Sequence, residues 1–204
     1  MRSIEREFKW TVETEQDFES FLSALTSVLG VVPALKEVKI SDAYLENSTG
    51  TLSAEKVALR IRQMDNSWEA TLKTRTCLTD GLACRKELTL PLPPVQDVNQ
   101  ALSELKKKKE WEGIKLTDLW VKFEIKNDRQ IYEFAYKSSQ CQAALDRYCI
   151  YAAADTLPCR EIELELKEGK MEDFMEIISL LTKKSGLKAA QISKVATAEK
   201  MLKR

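Results

Sequence analysis

Glu161-Ile162-Glu163-Leu164-Glu165-Leu166 alternates carboxylates with aliphatic side chains, and near the other end of the chain Ile4-Glu5-Arg6-Glu7-Phe8-Lys9-Trp10 places Glu5, Glu7 and Lys9 at every second position. Successive side chains of a strand point to opposite faces, so each set of charges shares one face. The same two-residue spacing recurs in Arg60-Ile61-Arg62, Lys73-Thr74-Arg75 and Arg85-Lys86-Glu87. In an open sheet these faces would meet solvent. Two acidic strands with several matching basic ones are better explained by a closed barrel. Its lumen is charged, and its apolar face, with Ile4, Phe8, Trp10, Ile61, Leu72, Ile162, Leu164 and Leu166, turns outward toward covering helices.

The rest of the chain sets limits on the chemistry. Its 204 residues contain no histidine, which excludes Ser-His-Asp and Cys-His nucleophilic mechanisms and His-ligated zinc. Five cysteines form no C-x-x-C pair and read as reduced packing residues of a cytoplasmic protein. Lys+Arg and Asp+Glu are equal at 32 each, so overall charge points to neither nucleic acid nor membrane as a partner. No signal peptide or membrane span is read. The 44% hydrophobic content suffices for a core, and the absence of a linker favours a single domain over 1–204.

Periodicity predicts strands over 3–11, 37–46, 56–65, 67–76, 84–91, 117–127, 129–137, 140–151 and 159–167. Asp65-Asn66-Ser67 and Thr79-Asp80-Gly81 carry turn chemistry between neighbouring strands. Helices are predicted over 15–29, ended by Gly30, over 95–109 and 170–184, and from about 194. Lys106–Lys109 reads as a solvated helix end. The sum is a mainly β chain of eight or nine antiparallel strands with a few helices outside.

The carboxylates of one acidic strand lie about 6–7 Å apart. Packed into one lumen they need cations, and oxygen-only ligands suit Mg²⁺ or Mn²⁺. Arg60, Arg62, Lys73, Arg75 and Arg85 form a basic wall suited to phosphate. No Gly-rich phosphate loop exists, so side chains must form the cradle.

Glu5-x-Glu7-x-Lys9 resembles the E-x-E-x-K signature of the CYTH superfamily, the triphosphate tunnel metalloenzymes. Leu59-Arg60-Ile61-Arg62, Thr71-Leu72-Lys73, Arg85-Lys86-Glu87, Ala144-Leu145-Asp146-Arg147, Glu161 to Leu166 and Ser193-Lys194 resemble further family segments in the same order, closest to bacterial inorganic triphosphatases. Thr89 stands where the family often has Glu, and the stretch with Lys122, Lys126 and Arg129 matches loosely. The resemblance implies an eight-stranded antiparallel tunnel. It implies metal at Glu5, Glu7, Glu163 and Glu165, with Glu87, Asp146 and Glu161 assisting. It implies triphosphate at Lys9, Arg60, Arg62, Lys73, Arg85, Lys126, Arg129 and Lys194. Tyr44 is a further lumen candidate, and Trp10 and Trp68 are expected to pack.

The function expected is metal-dependent hydrolysis of the terminal phosphoanhydride of inorganic triphosphate or a related linear triphosphate. The catalytic set is Glu5, Glu7, Lys9, Glu163 and Glu165. The rival readings are a class IV adenylate cyclase, a thiamine triphosphatase and a non-catalytic polyphosphate or nucleotide sensor. A homodimer is compatible with the resemblance.

Overall fold

The computed structural model describes residues 2–74, 77–79 and 81–203. Its strands are β1 (Arg2–Thr11), β2 (Leu35–Glu46), β3 (Ala58–Met64), β4 (Ser67–Lys73), β5 (Cys77–Thr79), β6 (Leu82–Leu92), β7 (Glu110–Trp111), β8 (Ile114–Lys115), β9 (Trp120–Tyr136), β10 (Ser139–Ala152) and β11 (Asp155–Glu168). The main sheet runs β1-β11-β10-β9-β2-β3-β4-β6, and β6 pairs back onto β1, which closes an eight-stranded antiparallel barrel. The short β5 continues along the edge of β6 that β4 occupies, and β7–β8 is a separate hairpin.

Five helices accompany the barrel: α1 (Glu15–Leu29), α2 (Thr51–Ala54), α3 (Val98–Lys106), α4 (Met171–Ser185) and α5 (Lys194–Met201). Helix α1 has the predicted bounds. Asp17 accepts from the Thr14 backbone N–H at its start, and Gly30 ends it at φ 72°. Asp65 sits at φ 53° in the tight β3–β4 turn. Asp80 and Arg75 lie outside the described residues. One expectation is corrected: 117–127 and 129–137 are not two strands but the single β9. Asn127 and Asp128 read as a break, yet β9 is paired on both edges, with β10 and β2, and these ladders override local preference.

The outward apolar faces are covered on two sides. Phe8, Trp10, Ile162, Leu164 and Leu166 pack with Phe18, Phe21, Phe174 and Ile178 of α1 and α4. Trp10 is fully buried and donates from Nε1 to Thr182 at 2.9 Å. Leu59, Ile61, Trp68 and Leu72 pack with Leu102 and Leu105 of α3 and with Leu116. Ile4 departs from its expected role and stays 52% exposed.

A third cluster lies inside the barrel. Tyr44, Phe123, Ile125, Tyr148 and Ile150 share the lumen face and pack with Val195, Ala198, Met201 and Leu202 of α5 and its end. Helix α5 therefore seals one end of the barrel with an apolar plug. The lumen is charged over the remainder rather than throughout.

Candidate active site

Strand register decides which side chains share the lumen. Across β1 and β11, Glu7 faces Glu165 and Lys9 faces Glu163. Across β1 and β6, Glu5 faces Arg85. Lys73 faces Glu87, Arg60 faces Thr71, and Arg62 faces Asp42. The cavity so enclosed has a volume of about 420 Å³ and runs from Lys194 and Val195 of α5 out to the exposed Lys167.

Two carboxylate groupings result. In the deeper one, oxygens of Asp146, Glu161 and Glu163 lie within 4.8 Å of one another. Arg129 donates from Nε and Nη2 to both Asp146 oxygens at 2.6 Å and reaches Glu163 at 2.7 Å. Lys194, the first residue of α5, lies 2.9 Å from Glu161 and 3.0 Å from Glu163 and also contacts Asp146. Lys9 donates to Glu161 at 3.2 Å and to Glu163, and lies 3.4 Å from Glu7. In the outer grouping, Lys73 donates to Glu5 at 2.9 Å and pairs with Glu87 at 2.8 Å. Arg85 donates from Nη2 to Glu7 at 2.8 Å and from Nε to Glu5. Glu165 accepts from Lys167 at 3.0 Å.

Burial and charge tune these groups in opposite directions. Burial pushes Glu161 up to about 7, aided by Glu163 and only partly offset by Lys194 and Lys9. Burial also lifts Glu165 above the usual carboxylate range. For Asp146 burial works the same way, but Arg129 and Lys194 outweigh it and hold the group below its usual range. Burial opposes the charge of Lys194, and the three carboxylates around it overcome that and hold its pKa high. Burial, with Arg60 and Arg85 nearby, lowers Lys73.

Every sequence-predicted site residue but one reaches this lumen. The exception is Lys126: it is exposed on the outer face, beside the Tyr151 ring, while its neighbours Ile125 and Asn127 point inward. The correction is one of parity, since Arg129 is lumenal and Lys126 is an odd number of residues away. Tyr44 is lumenal but stacks on Phe123 at 4.7 Å, a packing role.

Asp42 was missed. It accepts from Arg62 Nε and Nη2, both at 2.7 Å, and lies 3.5 Å from Arg60, so it holds two cations of the wall in place. Its alternation with Tyr44 was the available signal. Thr71 was missed as well. Its Oγ1 and the Nε of Arg60, on residues opposite each other in register, are buried polar atoms with no partner among the described residues.

A closed antiparallel barrel lined by facing carboxylates and cations defines a class of protein, and the whole length of this chain agrees with it. A CYTH domain profile matches residues 3–198, and the chain belongs to that family. The inorganic triphosphatase of Haemophilus influenzae is 28% identical over 142 residues, which is 70% of this chain and 40% of that protein. The chain thus matches less than half the length of this curated relative. Among solved structures, HpAC1 of Hippeastrum, a proposed adenylyl cyclase described as having a dominant triphosphatase activity, superposes with a TM-score of 0.73 at 18% identity, covering 97% of this chain and 96% of that one. The PH1819 protein of Pyrococcus horikoshii superposes with a TM-score of 0.65 at 17% identity, covering 97% and 99%. These structural likenesses are likenesses of fold.

Proposed function

We propose that this protein is a metal-dependent triphosphatase that removes the terminal phosphate of inorganic triphosphate or a related linear triphosphate. The observation that carries the reading is the pair of orphaned donors, Arg60 Nε and Thr71 Oγ1, set side by side in a lumen that also gathers carboxylates. Buried donors without acceptors suit an anionic ligand. The carboxylates suit a hard cation: Asp146, Glu161 and Glu163 offer oxygen alone, with one oxygen of each within 4.8 Å of the others. The family membership and the activity of the Haemophilus relative support the same reading.

In this reading Asp146, Glu161 and Glu163, with Glu5, Glu7 and Glu165, hold Mg²⁺ or Mn²⁺. A bound divalent ion would neutralise phosphate oxygens and acidify a water. Arg60, Arg62, Lys73 and Arg85 bind and orient the triphosphate, and Lys9, Arg129 and Lys194 offset charge on the leaving pyrophosphate. Water adds to the terminal phosphorus as the bridging P–O bond breaks. A carboxylate oxygen of the acidic rim takes the proton. The apolar plug of α5 keeps bulk water from the closed end.

The test is incubation of the full chain with inorganic triphosphate, ATP and thiamine triphosphate, with each metal, followed by product identification. Inorganic triphosphate should give pyrophosphate and phosphate, and ATP should react more slowly to give ADP. Cyclic AMP plus pyrophosphate as the dominant products from ATP would favour the cyclase instead. Replacing Glu5 and Glu7 together by Gln should abolish turnover and preserve the fold by circular dichroism. Full activity in that double variant would remove the metal assignment.

A further inference from the structure

A cavity of about 750 Å³ lies on the outer barrel wall. Here the outward faces of β11, β10, β9, β2 and β3 lie side by side, beyond the cover of α1. Neighbouring strands are about 4.8 Å apart, so the groove crosses roughly 19 Å from β11 to β3. Both the length and the volume suit a small molecule.

Its two ends differ in chemistry. At the β10–β11 end, Arg147 and Arg160 face each other in register. Glu15 pins both, accepting from Arg147 Nη2 at 2.7 Å and from Arg160 Nε at 2.7 Å. One carboxylate shared by two guanidinium groups leaves net positive charge in a fixed position. Lys126 adds a further cation, its Nζ 5.3 Å from the centroid of the exposed Tyr151 ring. At the β3 end the lining is Gln63 and Asp65, an amide and a hydrogen-bond acceptor. The floor between them is the small side chains Ser41 and Cys149.

From this layout we infer that the outer groove is a second binding site, distinct from the lumen, for a nucleoside mono- or diphosphate. The phosphate sits at Arg147, Arg160 and Lys126, and the base stacks on Tyr151, four residues further along β10. A bare phosphate would leave Tyr151 unused, and a long polyanion running toward β3 would meet Asp65 and be repelled there. The same inference gives Lys126 a role that its outward orientation denies it in the lumen.

The experiment uses the full chain and AMP, which carries no phosphoanhydride and cannot be turned over. Cys149 lies in the groove floor and Cys84 lies outside it, so their modification by a thiol reagent, resolved by peptide mass spectrometry, reports occupancy. AMP at about 1 mM, the weak end of specific binding, should slow Cys149 and leave Cys84 unchanged. Lys126→Ala with Arg160→Ala should weaken this protection by about tenfold, as expected for lost charge-assisted contacts, and Arg62→Ala, a lumen change, should leave it intact. Tyr151→Ala should reduce AMP to the level of inorganic phosphate. The inference is overturned if AMP gives no protection, if the double variant protects as well as the parent, or if Arg62→Ala removes protection. Equal protection by inorganic phosphate in the parent protein overturns the nucleoside assignment.

Discussion

Asp42 illustrates how much of the lumen rests on single side chains. It is buried and shared by Arg60 and Arg62. Burial alone would raise its pKa, but Arg62 and then Arg60 outweigh that and hold it well below the usual carboxylate range. A depressed carboxylate adds stability that is fully present above the unfolded value of about 3.9 and is lost as pH falls from there through the lower folded value. The difference in urea midpoint between the parent protein and Asp42→Asn should therefore be constant above about pH 5 and shrink as pH falls below about 4. At neutral pH that substitution takes the carboxylate from the buried Arg60 and the half-buried Arg62 and should destabilise by about 3–5 kcal/mol. A loss below 1 kcal/mol, the range of exposed pairs, would mean that Asp42 does not hold the wall. Arg62→Ala and Lys73→Ala should each lower kcat/KM for triphosphate by about tenfold or more. Lys107, at the end of α3, is exposed and pairs with Glu104 of that helix, so Lys107→Ala should leave kcat/KM unchanged. Equal losses at Lys107 and Lys73 would contradict the lumen assignment.

At the scale of elements, Gly81 joins β5 to β6 at φ 84°, and its carbonyl accepts from the Lys9 N–H at 3.0 Å. A Cβ there would come within 2.9 Å of the Lys9 carbonyl oxygen, the Phe8 ring and the Ala189 Cβ. Gly81→Ala should thus destabilise by about 1–3 kcal/mol and, by displacing Lys9, lower kcat as well. Stability loss with normal kcat would mean that Lys9 keeps its position independently of this turn. Helix α5 offers a second check. Met201 packs among the lumen-facing aromatics, and Met201→Ala should cost about 2 kcal/mol or more by thermal unfolding. These two elements also mark where sequence reading succeeds and where it stops. Period-two charge on β1 and β11 exposes their lumen faces directly, because alternation is local. The apolar spacing of Val195, Ala198 and Met201 identifies one face of α5, but nothing local says that the face enters a barrel. The same limit applies to Lys126: a loose motif match cannot fix parity, whereas pairing on both edges of β9 does.

For the whole molecule, closure was legible because an open sheet could not reasonably expose so many facing ions. The mixed character of the interior was not, since it depends on which end receives the C-terminal helix. That helix makes the cavity a cul-de-sac. A linear polymer cannot be threaded through it, and a segment from the middle of a chain cannot reach its floor. Only a free terminus fits, and whatever is released must back out through the mouth by which it came. Long-chain polyphosphate, if taken at all, should shorten one end unit at a time with no fragments of intermediate length on a gel, and chains esterified at both termini should resist attack. Pyrophosphate, retained by the cations that held its parent, should compete with the next substrate, so that turnover slows as product accumulates and recovers when an inorganic pyrophosphatase is added.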